Sequence, residues 1–167
     1  MVQWLNVAGV RSAWTLLRRP SLLAPFLTVP DIRAIPFDRL RRAGIQYVVF
    51  DKDNCLTAPY VDAIHPAFER AWRQCRAAFP GDRILIVSNS AGTPDDTDHQ
   101  AAAAVERALG VPVLRHKEKK PRCGGEILAR LGAARPGEIA VVGDRLATDV
   151  ALANMNGMVA IWTRQIV

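Results

Sequence analysis

Ile45-Gln46-Tyr47-Val48-Val49-Phe50-Asp51-Lys52-Asp53-Asn54-Cys55-Leu56-Thr57 is the stretch that decides the fold. A short apolar run stops abruptly on a polar cluster, the pattern of a strand buried on both faces whose carboxyl end opens onto solvent. Similar runs recur at 84–87, 111–114, 139–142 and 159–162, each bounded by glycine, proline or polar residues. Helical patterns separate them at 66–78, 99–109, 123–131 and 148–154. Continuous apolar strands alternating with helices predict an α/β three-layer sandwich: a central parallel sheet, Rossmann-like, with right-handed crossovers. Only about 30 residues separate Asp53 from Ser88, and Ser88 from Lys120, room for one crossover helix each. No lid domain fits there, so a capless domain with an open mouth is expected.

With 167 residues, half of them hydrophobic, the chain can bury one sizeable core and a short appendage. The formal charge of +6 favours anionic partners without choosing among phosphates, lipid headgroups and nucleic acid. Cys55, Cys75 and Cys123 are an odd set with no C-x-x-C spacing, which argues against a disulfide framework and a zinc cluster. No apolar run reaches the roughly 18 residues of a spanning helix.

Residues 1–36 read as an appendage and 37–167 as the folded body. The first 30 residues contain no acid but carry Arg11, Arg18 and Arg19. On a helical wheel Leu5, Val7, Val10, Ala13, Trp14, Leu16 and Leu17 fall on one broad arc, with Arg11, Ser12, Thr15, Arg18 and Arg19 opposite; Trp4 and Asn6 break the pattern. Such a basic amphipathic helix suits a bilayer interface, with Trp4, Leu5, Val10, Trp14 and Leu17 in the acyl boundary and Arg18 and Arg19 on anionic headgroups. Packing on the body or on an oligomer partner, or service as a transit peptide, are the other readings. Prolines 20, 25, 30 and 36 make residues 20–36 an extended surface connector.

In open parallel sheets ligands bind beyond the carboxyl ends of the strands. The expected strand ends carry Asp51 and Asp53, then Ser88-Asn89-Ser90, then Lys117, Lys119 and Lys120-Pro121, then Gly143-Asp144 with Asp149 five residues on. An isolated Asp-x-Asp is usually a turn or cap. Here two carboxylate pairs, a hydroxyl and a lysine converge, the oxygen-rich set that Mg2+ and a phosphate require.

The order Asp51-x-Asp53-x-x-x-Thr57, Ser88, Lys120-Pro121 and Gly143-Asp144-x-x-x-x-Asp149 resembles the four motifs of the haloacid dehalogenase superfamily. The wording Phe50-Asp51-Lys52-Asp53-Asn54-Cys55-Leu56-Thr57, Lys119-Lys120-Pro121 and Gly143-Asp144-Arg145-Leu146-Ala147-Thr148-Asp149 is similar to a narrower group, the mitochondrial phosphatidylglycerophosphate phosphatases and their subfamily IIIA relatives; so is Arg19-Pro20-Ser21-Leu22 with Pro25 and Val29-Pro30. The resemblance implies hydrolysis of phosphatidylglycerophosphate to phosphatidylglycerol, the precursor of cardiolipin, through an aspartyl-phosphate on Asp51. It implies Asp53 as general acid and base, its backbone carbonyl also facing the metal. Ser88 and Lys120 would hold the phosphoryl group, Asp144 would bind Mg2+, and Asp149 would serve as second ligand or hold a metal-bound water. Asn54 and Asn89 are further donors, and His116 and Arg145 candidates for a second phosphate of the headgroup. Lys120 is preferred over Lys117 and Lys119 because proline follows it, and Thr148 is read as a helix cap.

The partners expected are an anionic phospholipid and a membrane surface, with neither nucleic acid nor a protein partner. The place expected is the matrix side of the mitochondrial inner membrane, or the cytoplasmic face of a bacterial membrane. A capless phosphatase of a soluble metabolite or nucleic-acid end, and a non-catalytic basic membrane adaptor, are the competing readings.

Overall fold

The structure, a computed structural model, describes residues 14–132 and 135–164. Five strands, β1 (Leu27–Val29), β2 (Tyr47–Phe50), β3 (Ile84–Ile86), β4 (Ile139–Gly143) and β5 (Val159–Thr163), form one sheet in the order β1-β5-β4-β2-β3, every pairing parallel. Besides helical residues 14–18, the described residues form five α-helices: α1 (Phe37–Arg42), α2 (Glu69–Ala78), α3 (Gln100–Leu109), α4 (Gly124–Leu131) and α5 (Ala151–Met155). The expected α/β three-layer sandwich is the fold observed.

The period of two along each strand sorts the core into two layers. Val48 and Phe50, Ile84 and Ile86, Ala140 and Val142 with Ile161 point to one face, where Phe37, Leu40, Trp72, Cys75, Val105 and Leu109 of α1, α2 and α3 cover them. Val49, Leu85, Val141 and Ala160 point to the other, against Ile127 and Leu131 of α4 and Leu152 and Ala153 of α5. Strands buried on both sides have no polar face to alternate with, which is why all five residues of β4 are buried and four of them apolar side chains.

Two strands differ from the sequence expectation. The stretch 111–114 makes only a single bridge, Ile86 with Val113, beside β3. Pro112 has no N–H to give a ladder, and the segment lies at the sheet margin. The missing strand is Leu27–Val29, inside the stretch read as a surface connector: it pairs with β5, and Val29, Ile32 and Ile35 are buried. The flanking prolines do exclude a helix, but an edge strand bonds on one side only and tolerates them. The folded body thus begins upstream of Phe37.

Near the amino end, residues 14–18 are helical. Trp14 and Leu17 are exposed, and the Arg18 guanidinium lies 4.7 Å over the Trp14 ring. Trp14 and Arg18, expected on opposite faces, share one, because residues four apart on a helix are neighbours. Arg19 follows the helical turn and is exposed. Trp4, Leu5 and Val10 lie outside the described residues.

Candidate active site

β2 and β4 are adjacent in the sheet while the chain leaves β2 toward β3 on its other side, and this divergence opens a crevice at their carboxyl ends. Asp51 follows β2 directly, its amide still bonded to the Val142 carbonyl at 2.8 Å. Asp144 follows β4, its carbonyl accepting the Trp162 indole N–H at 2.7 Å. Asp149 is brought back by a π-helical turn, Leu146–Val150, and its Oδ2 accepts the Arg145 amide at 3.1 Å. Wide turns of this kind recur at functional sites because the extra residue re-aims side chains. Here it replaces the start of the helix expected at 148–154. Thr148 lies within that turn without capping it and lines the crevice, so its reading as a cap is corrected.

Asp51, Asp144 and Asp149 each offer an oxygen within 4.8 Å of the others. Lys120 reaches in from the loop before α4, with Nζ 2.5 Å from Asp51 Oδ1 and 2.7 Å from Asp149 Oδ1, its side chain 3% exposed. Lys119 instead pairs with Asp95 at the exposed surface, 2.6 Å away, and Lys117 is exposed. Burial pushes the Asp51 carboxyl above the usual carboxylate range, opposed by the Lys120 charge and reinforced by Asp149. Burial also works against the Lys120 ammonium but is outweighed by Asp149 and Asp51, so Lys120 is held firmly protonated.

Three buried carboxylates converge beside one buried ammonium, each offering an oxygen within 4.8 Å of the others. The donors are hard oxygens, the kind a small divalent cation takes. The residues present therefore fit magnesium, with Asp51, Asp144 and Asp149 as side-chain ligands. The Asp53 side chain stands apart from this triad and pairs with Lys52.

Above the cluster is a cavity of about 230 Å³ that Asp51, Asp53 and Lys120 line together with Ser88, Asn54, Asn89 and Arg145. Ser88 is buried and its Oγ accepts the Ser90 and Ala91 amides at 3.2 and 3.3 Å. Asn89 Oδ1 accepts the Lys120 amide at 2.9 Å, tying two strand-end loops together. Asn54 sits at φ +61°, a left-handed position that asparagine tolerates, with its Oδ1 buried and unpartnered among the described residues. Arg145 is exposed at the rim, its Nε 4.0 Å from Asp144 Oδ2. His116 does not line the cavity. It is buried, Nδ1 lying 2.7 Å from the Glu118 carbonyl and Nε2 2.9 Å from that of Ser88, so neither nitrogen is left for a second phosphate. The histidine instead braces the loops carrying Ser88 and Lys120.

Sequence reasoning assigns no role to four residues: Pro59, Tyr60 and Ser90 line the cavity, and Lys52 is buried beside it. The available signal was adjacency: Lys52 lies between two site aspartates, Ser90 beside Ser88, and Pro59-Tyr60 just past Thr57.

A carboxylate lining the cavity, a buried lysine on it and an acidic triad that fits a metal suit a hydrolase of phosphoric monoesters, the class to which the relatives named next belong. The family model described as mitochondrial PGP phosphatase matches residues 7–167, and the chain belongs to that family. It is 40% identical over 164 residues to the mitochondrial phosphatidylglycerophosphatase GEP4 of Saccharomyces cerevisiae, covering 96% of this chain and 88% of that protein. Identity is 42% over 162 residues to the chloroplastic phosphatidylglycerophosphate phosphatase 1 of Chlamydomonas reinhardtii, covering 95% and 60%. It is 39% over 163 residues to the chloroplastic/mitochondrial phosphatidylglycerophosphate phosphatase 1 of Arabidopsis thaliana, covering 96% and 47%.

Proposed function

We propose that this chain is a magnesium-dependent phosphatase that converts phosphatidylglycerophosphate to phosphatidylglycerol, on the way to cardiolipin, through a phosphoryl-aspartate on Asp51. It works as a peripheral protein on the matrix side of the mitochondrial inner membrane. The relatives' names support the substrate, and the observation that carries the chemistry is the Asp51 carboxylate on the cavity floor, 2.5 Å from the Lys120 ammonium.

Phosphoryl transfer is achieved by positioning and by charge stabilisation more than by covalent chemistry of the protein. Asp51 supplies the attacking oxygen, held in place by Lys120 and by its backbone bond to β4. As the bond to phosphorus forms, Asp51 loses charge to the phosphoryl oxygens, and Lys120 is within reach of both. Ser88 Oγ accepts two amides and lies 2.9 Å from Ser90 Oγ, so by turning its hydrogen away from that hydroxyl it can donate to a phosphoryl oxygen. Asp53 protonates the departing glycerol oxygen, then takes a proton from the water that releases phosphate from Asp51. Asp51, Asp144, Asp149 and the Asp53 carbonyl would hold the magnesium ion, which when bound supplies positive charge to the phosphoryl oxygens. Arg145 at the rim meets the second phosphate, and the unpartnered Asn54 Oδ1 meets a hydroxyl of the head group.

Phosphate release from phosphatidylglycerophosphate, by wild type and Asp51→Asn, with magnesium and with chelator, tests this reading. Wild type with magnesium releases phosphate, chelator stops it, and Asp51→Asn loses on the order of 10³-fold or more. Undiminished turnover by Asp51→Asn refutes the mechanism. Hydrolysis of a soluble sugar phosphate with none of the lipid refutes the substrate.

A further inference from the structure

Lys52 lies between the two aspartates of the first strand end, where a lysine in an acidic run would ordinarily keep its head in water. Here the side chain is only 5% exposed. Its ammonium is 2.8 Å from Asp53 Oδ1, 3.0 Å from the Val61 carbonyl oxygen and 3.4 Å from Asp62 Oδ1. An ammonium so far from solvent needs acceptors and a counter-charge: the Val61 carbonyl and Asp62 accept hydrogen bonds from it, and Asp53 forms its closest ion pair. The Tyr60 amide donates to the same Asp53 Oδ1 at 3.1 Å. Both contacts with the Asp53 carboxyl therefore fall on one oxygen, leaving Oδ2 as the one to carry a proton into the cavity that Asp53 lines. A carboxyl group otherwise turns freely about its terminal torsion, and a proton donor that turns is mispositioned for most of the time.

The geometry points to Lys52 as a positioning residue for proton transfer: it fastens Asp53 by Oδ1 to the 60–62 loop at the mouth of the cavity, so that Oδ2 meets the leaving oxygen. This rests on the reading of Asp53 as general acid. In the step it serves, Asp51 bonds phosphorus as the bond from phosphorus to the alcohol oxygen breaks. The electron pair of that bond goes to the alcohol oxygen, which takes the proton from Asp53 Oδ2. The new Asp53 carboxylate is left beside the Lys52 ammonium, which neither gains nor loses a proton.

A general acid matters only when the leaving group needs a proton, and this separates positioning from mere structural support. Two substrates are compared: p-nitrophenyl phosphate, whose phenolate departs unprotonated, and short-chain phosphatidylglycerophosphate, whose alkoxide does not. In kcat/KM, which ends with departure of the leaving group and so omits the water attack that both substrates share, Lys52→Met is expected to lose on the order of 10²-fold on the lipid substrate and no more than about threefold on the aryl substrate. Lys52→Arg, which keeps a cation in reach of Asp53, restores most of the lost rate. In the Asp53→Asn background, Lys52→Met costs nothing further on the lipid substrate, because the group it positions is gone. Thermal melting establishes that each variant is folded, and Lys52→Gln carries the same comparison should methionine not fold. Equal losses on both substrates for Lys52→Met and Lys52→Gln, while Asp53→Asn discriminates between them, overturn the assignment. If Asp53→Asn itself slows both substrates equally, the acid role of Asp53 fails, and this assignment falls with it.

Discussion

Replacing Lys120 by methionine removes one ammonium and leaves the stem that fills its place. The side chain is 3% exposed and its Nζ lies 2.5 and 2.7 Å from two carboxylates, so Asp51 and Asp149 lose the cation that pairs them both once the charge is gone. Breaking a buried pair by removing one partner costs about 3–5 kcal/mol. For a domain of this size each kcal/mol moves the melting temperature by about 2–4 °C, so the variant should melt roughly 6–20 °C below wild type. The loss also depends on pH. Burial already raises the Asp51 carboxyl above its ordinary value against the pull of Lys120, and without that pull it rises further. A carboxyl whose folded pKa lies above its unfolded pKa costs stability as pH climbs from the unfolded value toward the folded one, so the variant falls further behind wild type as pH increases. Thermal melting across this range, in metal-free buffer and again with magnesium, reads both effects; magnesium should recover part of the loss by re-pairing the carboxylates. The double variant Lys120→Met, Asp149→Asn should melt above the single one, having one fewer unpaired charge. A melting temperature within about 2 °C of wild type at every pH would refute the electrostatic account of the cluster, since a buried pair of this geometry cannot be neutral to removal of one partner.

Two further outcomes rest on close contacts and on capping. A Cβ placed on Gly143 would overlap Asp149 Cγ and stand 2.5 Å from its Cβ, so Gly143→Ala must displace Asp149; it should cost about 1–3 kcal/mol in a denaturant titration and depress phosphate release. Asp96 holds the start of α3 by accepting the amides of Gly92, Ala101 and Ala102 at 2.9, 2.8 and 2.9 Å. Burial works to raise that carboxyl, but the three donors outweigh it and hold it below the usual range. The stability it contributes is present above the ordinary carboxylate value and lost as pH falls through the lowered one. Asp96→Asn should thus be about 1 kcal/mol less stable than wild type at neutral pH, and melting curves should show the gap closing in acid.

How far the sequence could be read depended on whether a residue's partner is itself written in a pattern. β4 was legible because Ile139 to Val142 are buried on both faces and so run without a polar break. The site's acidic residues were legible because a parallel sheet gathers its strand ends, whatever lies between them in the chain. Val111 to Leu114 has the same apolar wording as a strand, but the length of the hydrogen-bonded ladder decides strandhood, and Pro112, whose carbonyl accepts the Ile86 amide, has no N–H to extend it. β1 was obscured for the opposite reason: its three residues are too few for any period, and their partner β5 lies more than a hundred residues away. His116 was misjudged because it bonds to carbonyl oxygens, which every residue has and no sequence distinguishes. Lys52 hid in the same way, since its company includes the Val61 backbone. The one-turn spacing of Trp14 and Arg18, by contrast, was there to be counted.

The pairing of Leu27–Val29 with β5 sets a limit on trimming of the amino end. A protease cutting ahead of Pro20 leaves the sheet intact, whereas a cut beyond Val29 strips β5 of its outer neighbour and presents a bare row of backbone donors and acceptors to any other chain. Shortened forms of the protein should therefore divide sharply into well-behaved and aggregating ones, with the dividing line inside residues 20–29.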